Sequence, residues 1–152
     1  MKNRSRFDLH RWLGPALAAT LDAVPPATPS PVWLVDAVTW VPASREGGRR
    51  RGVDQGRLLA RSVGAALGVP AVCLLARTDR SGGRSGRRSR HQRLDGPSLG
   101  VVAGAAAIPA GVLIVDDVVT TGGSMRAAVR ALRESGAHPV HGAALAVADA
   151  PR

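Results

Sequence analysis

Residues 112–125 read Val-Leu-Ile-Val-Asp-Asp-Val-Val-Thr-Thr-Gly-Gly-Ser-Met, and each part of this run has a physical job. Val112, Leu113, Ile114 and Val115 form a continuous apolar stretch suited to a strand buried on both faces. Two carboxylates follow at once. A buried carboxylate without a partner is costly, so Asp116 and Asp117 are expected where the strand emerges at its carboxyl end. That is where open α/β sheets bind ligands. Thr120, Thr121, Gly122, Gly123 and Ser124 then lead into a helix. The glycines let successive backbone N–H groups curl inward, the hydroxyls add donors, and the helix N-terminus contributes a favourable dipole. The result is a cradle for a monophosphate. Adjacent carboxylates can accept from two vicinal hydroxyls and can support Mg²⁺ directly or through water. Together the parts describe a ligand with a phosphate at one end and a diol beside it. The ordinary alternative is a strand–turn–helix capped by Ser124 or Thr121, with both acids solvated. It leaves the acid pair, the two threonines and the two glycines without a reason for their order. The Gly-x-x-x-x-Gly-Lys-Ser/Thr order of a nucleotide-binding loop is missing, which argues against an ATPase.

These residues need a scaffold, and the rest of the chain supplies one. Phe7, Leu9, Trp12, Leu13, Leu17 and Leu21 recur at helical spacing and predict an opening helix over 6–22. The proline-rich run 25–31 is a linker or extended loop. Residues 33–41, rich in Val and Trp, read as a first core strand, and 44–52 as a loop. Leu58, Leu59, Val63, Ala66 and Leu67 mark a helix closed by Gly68 and Pro70. A second strand is expected at 71–75, a short one at 99–102, the central one at 112–115 and a last one at 140–147. A helix over 124–134 ends near Gly136. Strands alternating with helices indicate a parallel sheet covered on both faces. The chain divides into residues 1–31, a helix with its linker, and residues 32–152, the α/β domain.

With 152 residues, one core is expected. The net charge is +10, and Lys2 is the one basic residue that is not arginine. Arginine grips phosphate oxygens in pairs, so this surplus favours a polyanionic partner, either a small phosphorylated ligand or a nucleic acid. Cys73 stands alone in an apolar run, and its neighbours suggest buried packing rather than redox work. The longest nonpolar stretch, 100–115, is shorter than a membrane span and is broken by Pro109. A cytoplasmic protein is expected. The basic stretch 77–93 has no apolar periodicity and reads as a loop, either a lid over ligand or a solvated charge run. His91 within it, and His10, His138 and His141 elsewhere, show no metal-site spacing.

The segment 112–125 closely resembles the ribose-phosphate signature of type I phosphoribosyltransferases. The resemblance implies a parallel-sheet, Rossmann-like phosphoribosyltransferase fold with a small N-terminal hood. It also implies binding of 5-phosphoribosyl 1-pyrophosphate (PRPP) with Mg²⁺. Asp116 and Asp117 would hold the ribose hydroxyls and the metal and would be the catalytic acids. Thr120, Thr121, Gly122, Gly123 and Ser124 would hold the 5′-phosphate. A second stretch, Val41-Pro42-Ala43-Ser44-Arg45 followed by Arg51-Gly52-Val53-Asp54-Gln55 and Leu58-Leu59-Ala60, resembles the ComF (competence-associated) branch. Val53 stands where that branch usually has Phe and Asp54 where it has Asn, and its cysteine-rich zinc module has no counterpart here. By this resemblance Ala43, Ser44 and Arg45 would receive the pyrophosphate. Arg51, Gln55 and Arg77 are further candidates, with a solvated helix start the plainer alternative for the first two. The activity implied is transfer of the phosphoribosyl group to a nitrogenous acceptor. The alternatives are a PRPP sensor without catalysis and a competence-type DNA accessory protein. Four aromatic residues, three of them in predicted core elements, leave little to stack on bases. A homodimer is left open, and no membrane partner is expected.

Overall fold

The structure is a computed structural model that describes residues 9–23, 34–43, 54–78, 96–102 and 107–148. Among the described residues, eight elements follow in chain order: α1 (Leu9–Ala23), β1 (Ala37–Trp40), α2 (Gln55–Leu67), β2 (Leu75–Arg77), β3 (Leu99–Val101), β4 (Val112–Val119), α3 (Gly123–Glu134) and β5 (Val140–Val147).

β4 lies at the centre of a parallel sheet of order β1-β4-β5, with Ala37 opposite Val112 and Val112 opposite Val140. Residues 70–74 run beside the free edge of β1. Val38 N–H donates to the Pro70 carbonyl (2.9 Å), and Val72 N–H donates to the Val38 carbonyl (2.8 Å). Thr39, a fully buried polar residue, joins the same seam by accepting from Leu74 N–H through Oγ1 (3.3 Å). β2 and β3 form a separate antiparallel pair.

Side-chain alternation along β4 distributes the apolar run to two cores. Leu113 and Val115 meet Val38, Trp40, Leu59, Ala60, Val63 and Leu17, so α1 and α2 cover that face. Val112 and Ile114 meet Leu74, Leu75, Ala128, Leu132 and Val140 on the face covered by α3. The fold is therefore α/β with a parallel sheet covered on both faces, as the sequence indicates. α2 starts on Asp54, whose side chain accepts from Arg57 N–H, and ends on Gly68 in the left-handed conformation.

Several sequence-based expectations need correction. Trp12 is 78% exposed, because α1 turns Leu13, Leu17 and Leu21 inward instead. Cys73 is exposed rather than packed. Residues 71–74 flank the outer edge of the sheet and bury Leu74, leaving the cysteine facing out. The paired residues of β2 begin only at Leu75, after this seam with β1. β4 extends four residues beyond its predicted end. The basic stretch 79–95, with His91, lies outside the described residues.

Candidate functional site

The extension of β4 creates the site. β1 ends at Trp40, opposite Val115, whereas β4 continues with β5 as its neighbour through Val119. Asp116 and Asp117 therefore stand at the step where one neighbouring strand has stopped. They are half-buried, unlike the four fully buried residues before them. The chain spends one oxygen of each carboxylate on its own backbone. Asp117 N–H donates to Asp116 Oδ1 (2.9 Å) and Val118 N–H to Asp117 Oδ1 (2.9 Å).

Asp116 is unusual in its acidity. Its pKa is raised from 3.8 to about 6, first by burial, next by sharing a proton with the Asp117 side chain, then by the charges of Asp117 and Asp54. The Asp117 backbone N–H pulls the other way. Above that pKa the crowded anionic pair is suited to cationic or hydroxyl donors.

Four residues on, Thr120, Thr121, Gly122, Gly123 and Ser124 make the bend into α3. They line one concavity together with Asp116. Gly122 is the N-cap, at φ 72°, a left-handed conformation that disfavours any residue with a Cβ. As a glycine it makes no side-chain cap bond of its own. Thr121 braces the bend: its Oγ1 accepts from Gly123 N–H (3.4 Å), and its carbonyl accepts from Arg126 Nη1 (2.9 Å). Gly96 lies against the bend from outside. A Cβ at Gly96 would collide with the Gly123 carbonyl, so the chain entering β3 lies directly on the first turn of α3.

Of the other predicted site residues, Ala43 is exposed in the chain leaving β1, and Gln55 opens α2. Ser44, Arg45 and Arg51 lie outside the described residues. Arg77 ends β2 and donates from Nη1 to the Pro42 carbonyl (3.3 Å), so it reaches the chain leaving β1. Asp54 belongs to this neighbourhood although no site role is predicted for it from sequence. Its Oδ2 accepts from Trp40 Nε1 (2.9 Å), and its charge acts on Asp116. Its N-cap chemistry was a readable signal, but its nearness to Asp116 was not, since 62 residues separate the two in the chain.

A family model for the phosphoribosyl transferase domain matches residues 53–152, about two thirds of the chain. The chain belongs to the phosphoribosyl transferase domain family. Solved structures agree. Glutamine PRPP amidotransferase from B. subtilis, complexed with ADP and GMP, is 28% identical with a TM-score of 0.58, covering 91% of this chain and 26% of that one. The same figures hold for a structure of the allosteric regulatory enzyme of purine biosynthesis. The phosphoribosyltransferase domain here thus spans about a quarter of the length of those two chains. Adenine phosphoribosyltransferase from Saccharomyces cerevisiae, at 21% identity and a TM-score of 0.54, covers 97% of this chain and 72% of that one, a likeness of fold. No curated protein matches the chain. No described helix is long and apolar enough to cross a membrane.

Proposed function

We propose that this phosphoribosyltransferase binds PRPP with Mg²⁺ at the carboxyl end of β4 and transfers the phosphoribosyl group to a nitrogenous acceptor. The observation that carries the reading is the single concavity shared by Asp116 and the glycine bend opening α3. A phosphate seated in the bend would meet backbone N–H groups and the positive end of the helix dipole. Its ribose would then lie toward the acid pair. The backbone engages Oδ1 of each carboxylate, and a ribose hydroxyl or a cation would take over at Oδ2 from the contact between the two side chains. That is a hard, anionic oxygen set, and it fits Mg²⁺ held directly or through water. When bound, the metal would offset charge on the pyrophosphate as it departs.

In the reaction the C1–O bond to pyrophosphate breaks, a C1–N bond to the acceptor forms, and the acceptor nitrogen gives up a proton. Positive charge gathers on the sugar between those events. Asp116 and Asp117 stand beside it as fixed anions, which is electrostatic preorganisation without a covalent enzyme intermediate. The chain leaving β1, residues 41–45, would receive the pyrophosphate, with Ala43, Ser44 and Arg45 supplying donors. The sequence pattern Arg51-Gly52-Val53-Asp54-Gln55 supports a ComF-like branch within the family.

Calorimetric titration with PRPP and Mg²⁺ tests the reading. Saturable binding is expected for the wild type, with a loss of tenfold or more, roughly, in Asp116→Ala and in Asp117→Ala. No binding by the wild type, or equal binding by both variants, would refute it. Pyrophosphate release in the presence of purine and pyrimidine bases separates a transferase from a sensor, which binds and releases none.

A further inference from the structure

We propose that Trp40 and Asp54 are positioning residues that fix residues 40–43, the root of the chain leaving β1, and thereby favour binding of the pyrophosphate half of the donor. The inference rests on the donor reading above and adds to it residues that need not touch the ligand.

The geometry is a bracket with two arms. On one side, Trp40 is the last residue of β1, is 7% exposed, and donates from Nε1 to Asp54 Oδ2 at 2.9 Å. The other oxygen of the same carboxylate, Oδ1, accepts from Arg57 N–H at 3.3 Å in the first turn of α2. Gly56 lies against the indole, where a Cβ would come within 3.3 Å of Trp40 Cδ1. On the other side, two residues further along, Arg77 reaches from the end of β2 to the Pro42 carbonyl at 3.3 Å. The chain is thus fixed at residue 40 from α2 and at residue 42 from β2, immediately before the stretch assigned to pyrophosphate. Both arms use an ionised partner, and such bonds are stronger than neutral ones. A root fixed before ligand arrives lowers the ordering cost that binding must meet.

The bracket also explains why residue 54 is aspartate. Two N–H donors, one from Trp40 and one from Arg57, converge on its two oxygens. Asparagine has one acceptor oxygen, so it would satisfy one donor and turn an amide N–H₂ toward the other. A residue at 54 that serves only as a helix cap would tolerate the exchange, because asparagine caps as well as aspartate. A residue that also holds Trp40 would not.

The test compares two probes by calorimetry, PRPP with Mg²⁺ and ribose 5-phosphate with Mg²⁺, on wild type, Trp40→Phe, Asp54→Asn and the double variant. Ribose 5-phosphate uses the glycine bend and the acid pair but carries no pyrophosphate. Expected is a loss of roughly three- to tenfold in PRPP affinity for each single variant beyond any change in ribose 5-phosphate affinity, which stays within about twofold for Trp40→Phe. The double variant should bind PRPP no worse than the weaker single one, since both changes break the same bond. A merely structural role would lower the melting temperature without changing the ratio of the two affinities. An unchanged ratio therefore overturns the bracket. Trp40→Phe keeps most of the buried ring and the charge beside Asp116, so it decides the matter if Asp54→Asn does not fold. Wild-type protein that binds neither probe refutes the donor reading and the bracket with it, a result distinct from an unchanged ratio.

Discussion

Asp116 holds its proton up to a pH of about 6 rather than 3.8, chiefly because it is half-buried and next because Asp117 shares the proton. A carboxyl whose folded pKa lies above its unfolded value binds the proton more tightly in the folded state. Its contribution therefore favours folding below about pH 4 and is lost as the pH rises through 6. Above that the protein carries the full cost of two adjacent anions near Asp54. Asp116→Asn should raise the stability of the ligand-free protein at pH 7.5, on the order of 1 kcal/mol once solvent screening is allowed for, and change it little at pH 4. Denaturant melts of both proteins at the two pH values check this. His141 has its pKa lowered from 6.5, by burial and then by Arg133, so its contribution is lost as the pH falls through its own range. Comparing the two proteins at each pH cancels that. Equal stability at pH 7.5 would mean that the acid pair is not strained. The acids themselves were legible in the sequence because a buried run ending in two carboxylates has few physical solutions. The third member of the neighbourhood, Asp54, was not, because long-range charge proximity leaves no trace in local spacing.

At the scale of elements, the boundaries set by strong local chemistry were readable. α2 closing at Gly68, α3 up to Glu134 and β5 over Val140–Val147 are where capping residues and periodicity place them. The ends of β4 and β1 were not readable. How far a parallel strand runs depends on its neighbours, and β5 continues beside β4 after β1 has stopped. That mismatch is what puts the acids at a step in the sheet. The bend after it depends on two glycines in different ways. Gly122→Ala places a Cβ at φ 72° and 2.9 Å from Arg126 Nη1, a flexible group that can move. The cost should be about 1–2 kcal/mol, from the left-handed backbone alone. At Gly96 the obstacle is the backbone of Gly123, which cannot yield without displacing the start of α3. Gly96→Ala should therefore cost more than about 2 kcal/mol, whereas Gly122→Ala, which adds a Cβ to a residue lining the cradle, should also weaken phosphate binding. Paired chemical melts and inorganic phosphate titrations distinguish the two, and phosphate binding unchanged in Gly122→Ala would show that the bend is not the cradle.

At the scale of the whole molecule, the +10 charge raises the question of what the arginines outside the site do. Arg126, Arg130 and Arg133 lie at i, i+4 and i+7 on α3, all exposed, along a groove of about 380 Å³ with Met125 and Val129 in its wall. The groove lies apart from the acid pair, and no aromatic residue lines it among the described residues. A nucleic-acid strand meeting this face would find charge without a stacking surface, and such binding is governed by counterion release. Three phosphate contacts imply a slope of about −2 in log affinity against log salt for a single strand. A fourfold rise in salt should then cost roughly twentyfold in affinity. Arg130→Gln with Arg133→Gln should flatten the slope by about 1.4 and leave PRPP titrations unchanged, since neither residue lines the cradle. Fluorescence anisotropy with a labelled poly-dT strand measures the slope. Binding that survives high salt, or that PRPP displaces, would place the strand in the ligand site and favour a DNA-handling role over transfer to a small acceptor. Binding that fades with salt and ignores PRPP leaves the arginines as a solvating surface around a sugar-phosphate site.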